Sequence, residues 1–259
     1  MDKLYLVNIK RDITTKTEKY LNTDEMLIFV GAKQAGKTTV LKQLQTILEV
    51  AGNICHFLNL EDPEYLKLLD EHPRNLLKIF SLNLSSRSFI FIDEIQYLKD
   101  PSNFLKYIFD EYKNSIKLIV SGSSAFYIDK KFKDSLAGRK RIFHVSTLSF
   151  KEFLRFRGEL DLSLKDFDQI GLYDKNRIDL LYREFMLYGG YPRVVLANVE
   201  EKENILKELA YSYIKKDIYE ANIKQEEVFY SLFKILASQV GNLVNVSELA
   251  NTLNVSKTA

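Results

Sequence analysis

The sequence predicts an α/β fold: a parallel five-stranded sheet covered by helices, followed by an all-helical lid and the start of a winged helix. Three observations carry this. Short runs that are apolar throughout, such as MLIFV and FIFI, alternate with longer stretches of helical periodicity. A glycine-rich loop stands between the first apolar run and the first helix. After about residue 150 the strand-like runs stop and only helical periodicity remains.

Residues 1–24 read as a charged lead-in with helical character, and the core is expected over 25–150. Residues 25–30 form a buried strand that runs into the glycine loop. A helix follows over 37–52: Val40, Leu41, Leu44, Ile47 and Leu48 recur at helical spacing, and Gly52 supplies a C-terminal stop. Further strands are expected at 53–60, 88–93, 116–123 and 141–146. The amphipathic stretch 103–114 carries Phe104, Leu105, Ile108, Phe109 and Tyr112 on one face. Strands without polar alternation are buried on both faces, which requires a parallel sheet between helical layers. Residues 151–240 then read as helices throughout. With four prolines and no Gly/Ser linker, they are expected to pack on the core as a lid.

Bulk properties bound the function. A net charge of +2 does not mark a nucleic-acid binder, so any such contact needs a local basic patch. A single cysteine, Cys55, excludes an internal disulfide and sits in an apolar run as a small hydrophobe. His56, His72 and His144 show no metal-ligand spacing. No apolar run approaches membrane-spanning length and no signal segment opens the chain, so a cytoplasmic protein with no membrane partner is expected.

The residues Gly31-Ala32-Lys33-Gln34-Ala35-Gly36-Lys37-Thr38, followed by Thr39, fit the spacing G-x-x-x-x-G-K-S/T. The glycines let backbone N–H groups turn inward around phosphate oxygens, and the following helix points its positive end at the anion. Lys37 is placed to reach the β and γ phosphates, and the Thr38 hydroxyl to ligate Mg²⁺. ATP and Mg²⁺ are therefore the expected cofactors. Asp93 ends an apolar strand and can hold the metal shell, while the adjacent Glu94 can polarise an attacking water. Ser121 or Ser123, at the end of the next strand, is placed either to hydrogen-bond the γ-phosphate or the water, or to cap a helix. Arg139 follows a glycine just before the fifth strand and can touch a γ-phosphate within its own subunit or on a neighbour. Arg141 competes for that role, and a solvated basic turn is the plain alternative.

The motifs GAKQAGKTT, FIFIDEIQYLKD, SGSS, SLAGR followed by LSFKEF, and YGGYPR occur in one order. Together they resemble the prokaryotic AAA+-type P-loop ATPases of the archaeal and STAND-like clade, over nearly the whole chain. The resemblance implies a P-loop NTPase core, a helical lid, a winged helix and often a nuclease-like C-terminal domain. It implies that Lys37 and Thr38 carry the nucleotide phosphates and metal, and that Asp93 and Glu94 are the metal and water carboxylates. It matches Arg139 to the L-x-G-R arginine, and Gly189, Gly190 and Pro192 to a G-G-x-P element near the base or phosphates. The residues alone make GGYP a tight turn between helices. Lys33 departs from the arginine common in the family, which alters any bidentate contact there.

Residues 241–259 read as part of a helix-turn-helix, with Ser247–Leu253 as its first helix, a turn at Asn254–Ser256 and a second helix cut short. A fragment of a longer protein, completed by a winged helix, is expected. The leading reading is ATP binding and hydrolysis that drive a core–lid rearrangement. ATP and ADP are the expected ligands, a homo-oligomer is a candidate assembly, and DNA is a candidate partner of the complete C-terminal part. The alternative is a nucleotide-dependent nucleic-acid-binding adaptor with negligible turnover, contacting phosphates through KKFKDSLAGRKRIF. A small-molecule kinase is disfavoured by the Asp93–Glu94 pair and the long-helix lid. A GTPase is disfavoured because N-K-x-D is missing.

Overall fold

The computed structural model describes residues 9–122, 136–220 and 225–256. They fall into two compact units, divided between Asn198 and Val199. The 150/151 boundary expected from the sequence therefore lies inside the first unit. Among the described residues no helix is long and apolar enough to cross a membrane.

The first unit is built on the sheet β1 (Met26–Val30), β2 (Ile54–Asn59), β3 (Ser88–Asp93), β4 (Ile116–Gly122) and β5 (Lys140–His144). All pairings are parallel, in the order β2-β3-β4-β1-β5. The three inner strands are buried along their whole length, whereas β2 and β5 form the edges and are partly exposed. Side chains alternate between two faces. Leu27, Phe29, Phe91 and Ile119 meet Val40, Leu41, Leu44 and Leu48 of α2 (Lys37–Val50). Ile28, Val30, Ile90, Ile92 and Val120 meet α3 (Pro63–Glu71), α4 (Asn75–Ile79) and α5 (Pro101–Tyr112) through Leu69, Leu76, Phe104 and Ile108. The chain leaves β1 toward β2 in one direction and reaches β5 in the other, so a crevice opens at the C-terminal ends of the central strands.

The lead-in contains α1 (Asp12–Glu18). Helices α3 and α4 were not foreseen from the sequence, although Asp62-Pro63 is a start signal: the Asp62 side chain accepts from Glu64 N at 2.9 Å and proline occupies the first turn. After β5 come α6 (Phe150–Phe156), α7 (Leu160–Ser163), α8 (Leu172–Tyr188) and α9 (Pro192–Leu196). Their own core joins Leu148, Phe153, Leu154, Leu162, Ile178 and Val195. The second unit holds α10 (Val199–Glu220), α11 (Glu226–Ser238) and α12 (Val246–Thr252). Asn245 caps α12, and Asn254 beyond it adopts φ 53°, giving the helix and turn expected there. Cys55 behaves as expected of a packed thiol: burial, with Glu49 beside it, pushes its pKa up to about 11.

One buried cation ties the lead-in to the sheet. Lys117 of β4 is 1% exposed and donates to the carbonyls of Tyr20 at 2.9 Å, Thr23 at 2.7 Å and Glu25 at 2.5 Å. Burial pushes its pKa down to about 8, so at neutral pH it remains an ammonium with three protons for three carbonyls. Lys117→Met is therefore expected to lower stability by about 3 kcal/mol, because it removes the charge-assisted bonds that tie the lead-in to β4. A urea titration checks this, and an unchanged midpoint would remove the residue from that role.

Candidate functional site

The glycine loop follows β1 directly. A methyl group at Gly31 would lie 2.1 Å from the Val145 carbonyl oxygen, so only glycine lets the loop start flush against the end of β5. Gln34 (φ 62°) and Gly36 (φ 101°) take left-handed conformations that curl the backbone into a cradle. Gly36 caps α2 with no side chain to serve the leading N–H groups of the helix, which suits an anion there. Lys37 is buried, and its Nζ donates to the carbonyls of Gly31 at 3.1 Å and Ala32 at 3.0 Å, closing the loop upon its own ammonium. Ala32, Lys33, Gln34, Ala35 and Thr39 complete the segment; Lys33 and Gln34 are exposed at its crest and Ala35 is buried beneath.

Strand register assembles the other half. Phe29 is level with Ser121, and Ile92 with Val120, so Asp93 and Ser121 end side by side next to the loop. Thr38 Oγ1 donates to Asp93 Oδ2 at 2.5 Å, joining residues 55 positions apart. Ser121 donates to the other oxygen of Asp93 and accepts from Glu94 N at 3.3 Å. Ser121 is fully buried, and its hydroxyl orients Asp93 and the Glu94 backbone instead of facing the crevice. Glu94 itself sits at φ 59°, a conformation that costs an L-residue roughly 1–2 kcal/mol and marks a shaped site. Its carboxylate accepts from the Gln96 amide. Thr38 stays exposed above the buried Asp93, so the hydroxyl and carboxylate form an oxygen pair suited to a hard cation such as Mg²⁺.

The remaining predicted residues divide. Pro192, at the start of α9, comes to the loop: a methyl at Gly36 would lie 3.9 Å from its Cγ. Gly190 packs backbone to backbone, its carbonyl accepting from Leu148 N at 2.7 Å, and a methyl there would lie 2.4 Å from Leu148 O. Gly189 ends α8 at φ 72°. Ser123 lies outside the described residues. Arg139 is not brought to the loop. It precedes β5 and receives Met26 N on its carbonyl, which places it at the N-terminal edge of the sheet. The five-residue length of β1, about 16 Å, separates that edge from Gly31. There Arg139 grips Asp110 of α5 through Nε at 2.7 Å and Nη2 at 3.3 Å. Arg141 is at the same edge, paired with Glu25 at 2.8 Å.

Sequence reasoning missed Arg11 and Glu152. Arg11 is 3% exposed and Glu152 is 4% exposed, and they form an ion pair at 2.8 Å beside the loop. Burial alone would raise the Glu152 pKa; hydrogen bonds from Arg11 and from the backbone N–H groups of Ser149 and Asp12 outweigh it and hold the carboxyl below its usual range. The Ser149–Glu152 spacing is a visible capping box, and the structure makes both of its bonds, at 3.2 Å and 3.0 Å. Nothing in that pattern shows that the same carboxylate also receives an arginine from 141 residues away.

A sequence model of a family described as an AAA domain matches residues 23–154, and one described as a domain of unknown function matches residues 179–259. An uncharacterized protein of Haemophilus influenzae is 29% identical over 240 residues, covering 91% of this chain and 56% of its own length. Uncharacterized protein MJ1544 of Methanocaldococcus jannaschii is 27% identical over 258 residues, covering 98% and 55%. The chain thus spans about half the length of the curated relatives it matches. Among solved structures, C. elegans PCH-2 aligns with a TM-score of 0.47 at 14% identity, covering 82% of this chain and 66% of its own. The Thermotoga maritima RuvB Holliday junction branch migration motor aligns with a TM-score of 0.47 at 17% identity, covering 96% and 83%.

Proposed function

The chain belongs to the AAA domain family, and from that premise we propose that residues 31–38 bind the phosphates of ATP, that Thr38 and Asp93 hold the accompanying Mg²⁺, and that Glu94 orients water for hydrolysis. The observation that carries this reading is the 2.5 Å contact between Thr38 and Asp93 at the mouth of the cradle. When bound, the metal would neutralise phosphate charge; the loop amides, Lys37 and Glu94 do the rest. Pro192 beside Gly36 supports a coupled movement: α9 lies next to the loop whose occupancy changes during turnover, so the sheet core and helices α6 to α9 of the same unit would repack with it.

Arg139 fits a role in trans. About 16 Å from its own loop, it is at an edge from which it would serve a neighbouring copy. ATP turnover per protomer is expected to climb with protein concentration, and Arg139→Ala to lower the assembled rate by about 10³-fold or more. Mixing the Arg139→Ala and Lys37→Ala chains should restore part of the activity, since each supplies what the other lacks. A rate per protomer that stays flat over the concentration range, or mixtures that remain inactive, would sink the trans assignment.

A further inference from the structure

Arg11 lies outside the stretch that the AAA model matches and outside every motif of the sequence. Its guanidinium is nevertheless pressed against the phosphate loop. Nε donates to Glu152 Oε1 at 2.8 Å, Nη1 to the carbonyl of Ala35 at 2.8 Å, and Nη2 to the carbonyl of Ser146 at 2.9 Å. A methyl at Gly36 would lie 2.9 Å from Nη1, so the cation rests on the Ala35–Gly36 peptide unit itself. A trans peptide points its C=O and its N–H in opposite directions, and none of the described peptides is cis. With the Ala35 carbonyl held by Arg11, the Gly36 N–H is turned to the side away from the guanidinium. The charge of Arg11 is matched by Glu152, so its effect on the loop is orientation more than attraction.

Other contacts hold Arg11 in register. Its backbone N–H donates to Gln43 Oε1 of α2 at 3.2 Å; the same amide oxygen accepts from Thr14 Oγ1 at 2.7 Å, and Gln43 Nε2 donates to Ile9 O at 2.9 Å. Asp12 N donates to Glu152 at 2.9 Å, and Asp12 also pairs with Arg155. The lead-in is thus fastened to α2 and α6 on either side of the loop.

We propose that Arg11 is a positioning residue of the nucleotide site: it sets the Gly36 amide toward the bound phosphates, with Glu152 and Gln43 holding it in place. This rests on the reading of residues 31–38 as the phosphate site. Docking of the lead-in and phosphate binding then favour each other, as linkage requires.

The test is equilibrium binding of a fluorescent ATP analogue with Mg²⁺, beside the urea midpoint of the nucleotide-free protein. Arg11→Ala strands a buried carboxylate and can unfold for that reason alone. The informative variants are Glu152→Gln, the double variant Arg11→Gln with Glu152→Gln, and Arg11→Lys. Glu152→Gln keeps the Ala35 contact but leaves the Arg11 cation buried without its counter-charge, so a lower urea midpoint is expected of it. The double variant strands no charge; it should unfold at a higher urea concentration than Glu152→Gln yet bind the analogue about tenfold or more weakly than the unaltered chain, the size of one lost charge-assisted hydrogen bond. Arg11→Lys still neutralises Glu152 but has no fork to reach Ala35 as well, and should show the same loss. Unaltered affinity in the folded double variant and in Arg11→Lys would overturn the positioning role and leave Arg11 as a structural partner of Glu152 only. Failure of the unaltered chain to bind the analogue would overturn this inference and the phosphate-site reading together.

Discussion

Lys37→Ala should abolish tight ATP binding, with an affinity loss of about a hundredfold or more in a titration. Lys37 Nζ sits on two loop carbonyls, at 3.1 and 3.0 Å, within the cradle that would receive the phosphates. An ammonium that can exchange carbonyl partners for phosphate oxygens contributes charge-assisted bonds to them. The fold should survive, because the two carbonyls belong to half-buried residues that water can reach in its place. The variant's melting temperature should therefore stay close to that of the unaltered chain, while the shift produced by added ATP disappears. An undiminished ATP-induced shift would refute the assignment of Lys37 to the phosphates.

Glu94→Gln should separate binding from turnover. The substitution keeps the shape and a hydrogen-bonding side chain but removes the anion that draws a proton from water. A positioned base contributes about 10²–10⁴ in rate, so hydrolysis should fall by that factor while affinity for ATP is retained. The backbone argues for a dedicated role: Glu94 is held at φ 59° with its N–H on Ser121, which turns its side chain independently of the strand that carries Asp93. Single-turnover hydrolysis with ATP prebound is the measurement. Normal turnover in this variant would assign the water to another group.

Local chemistry made much of this legible. Five strands appear where the sequence predicts them, and the three inner ones were legible as continuous apolar runs because a strand buried on both faces needs no polar alternation. The loop from Gly31 to Thr38 and the Asp93–Glu94 pair were readable because each is a contiguous signature, and parallel register then brings them together. For Ser121, as for Ser123, the sequence leaves open a contact to phosphate or water and a helix cap; in the fold the Ser121 hydroxyl is bound to Asp93, a direction that the end of a strand does not reveal by itself. The position of Arg139 was equally hidden. Its distance from the loop depends on β5 pairing parallel to β1 in this register, a property of the assembled sheet. Arg11 and Glu152 are 141 residues apart and each is unremarkable alone, so only the fold exposes their pairing.

The anchoring of the lead-in bears on where this domain begins. The AAA model starts at residue 23, downstream of Arg11, Thr14 and Tyr20. A chain begun there would carry Glu152 buried without its cation, Gln43 without Arg11, Thr14 or Ile9, and Lys117 without the Tyr20 carbonyl. The stretch that the AAA model marks out thus lacks partners that three of its buried polar side chains use. Those partners lie some dozen residues upstream, in a segment that carries no motif and that the rest of the molecule treats as part of its interior.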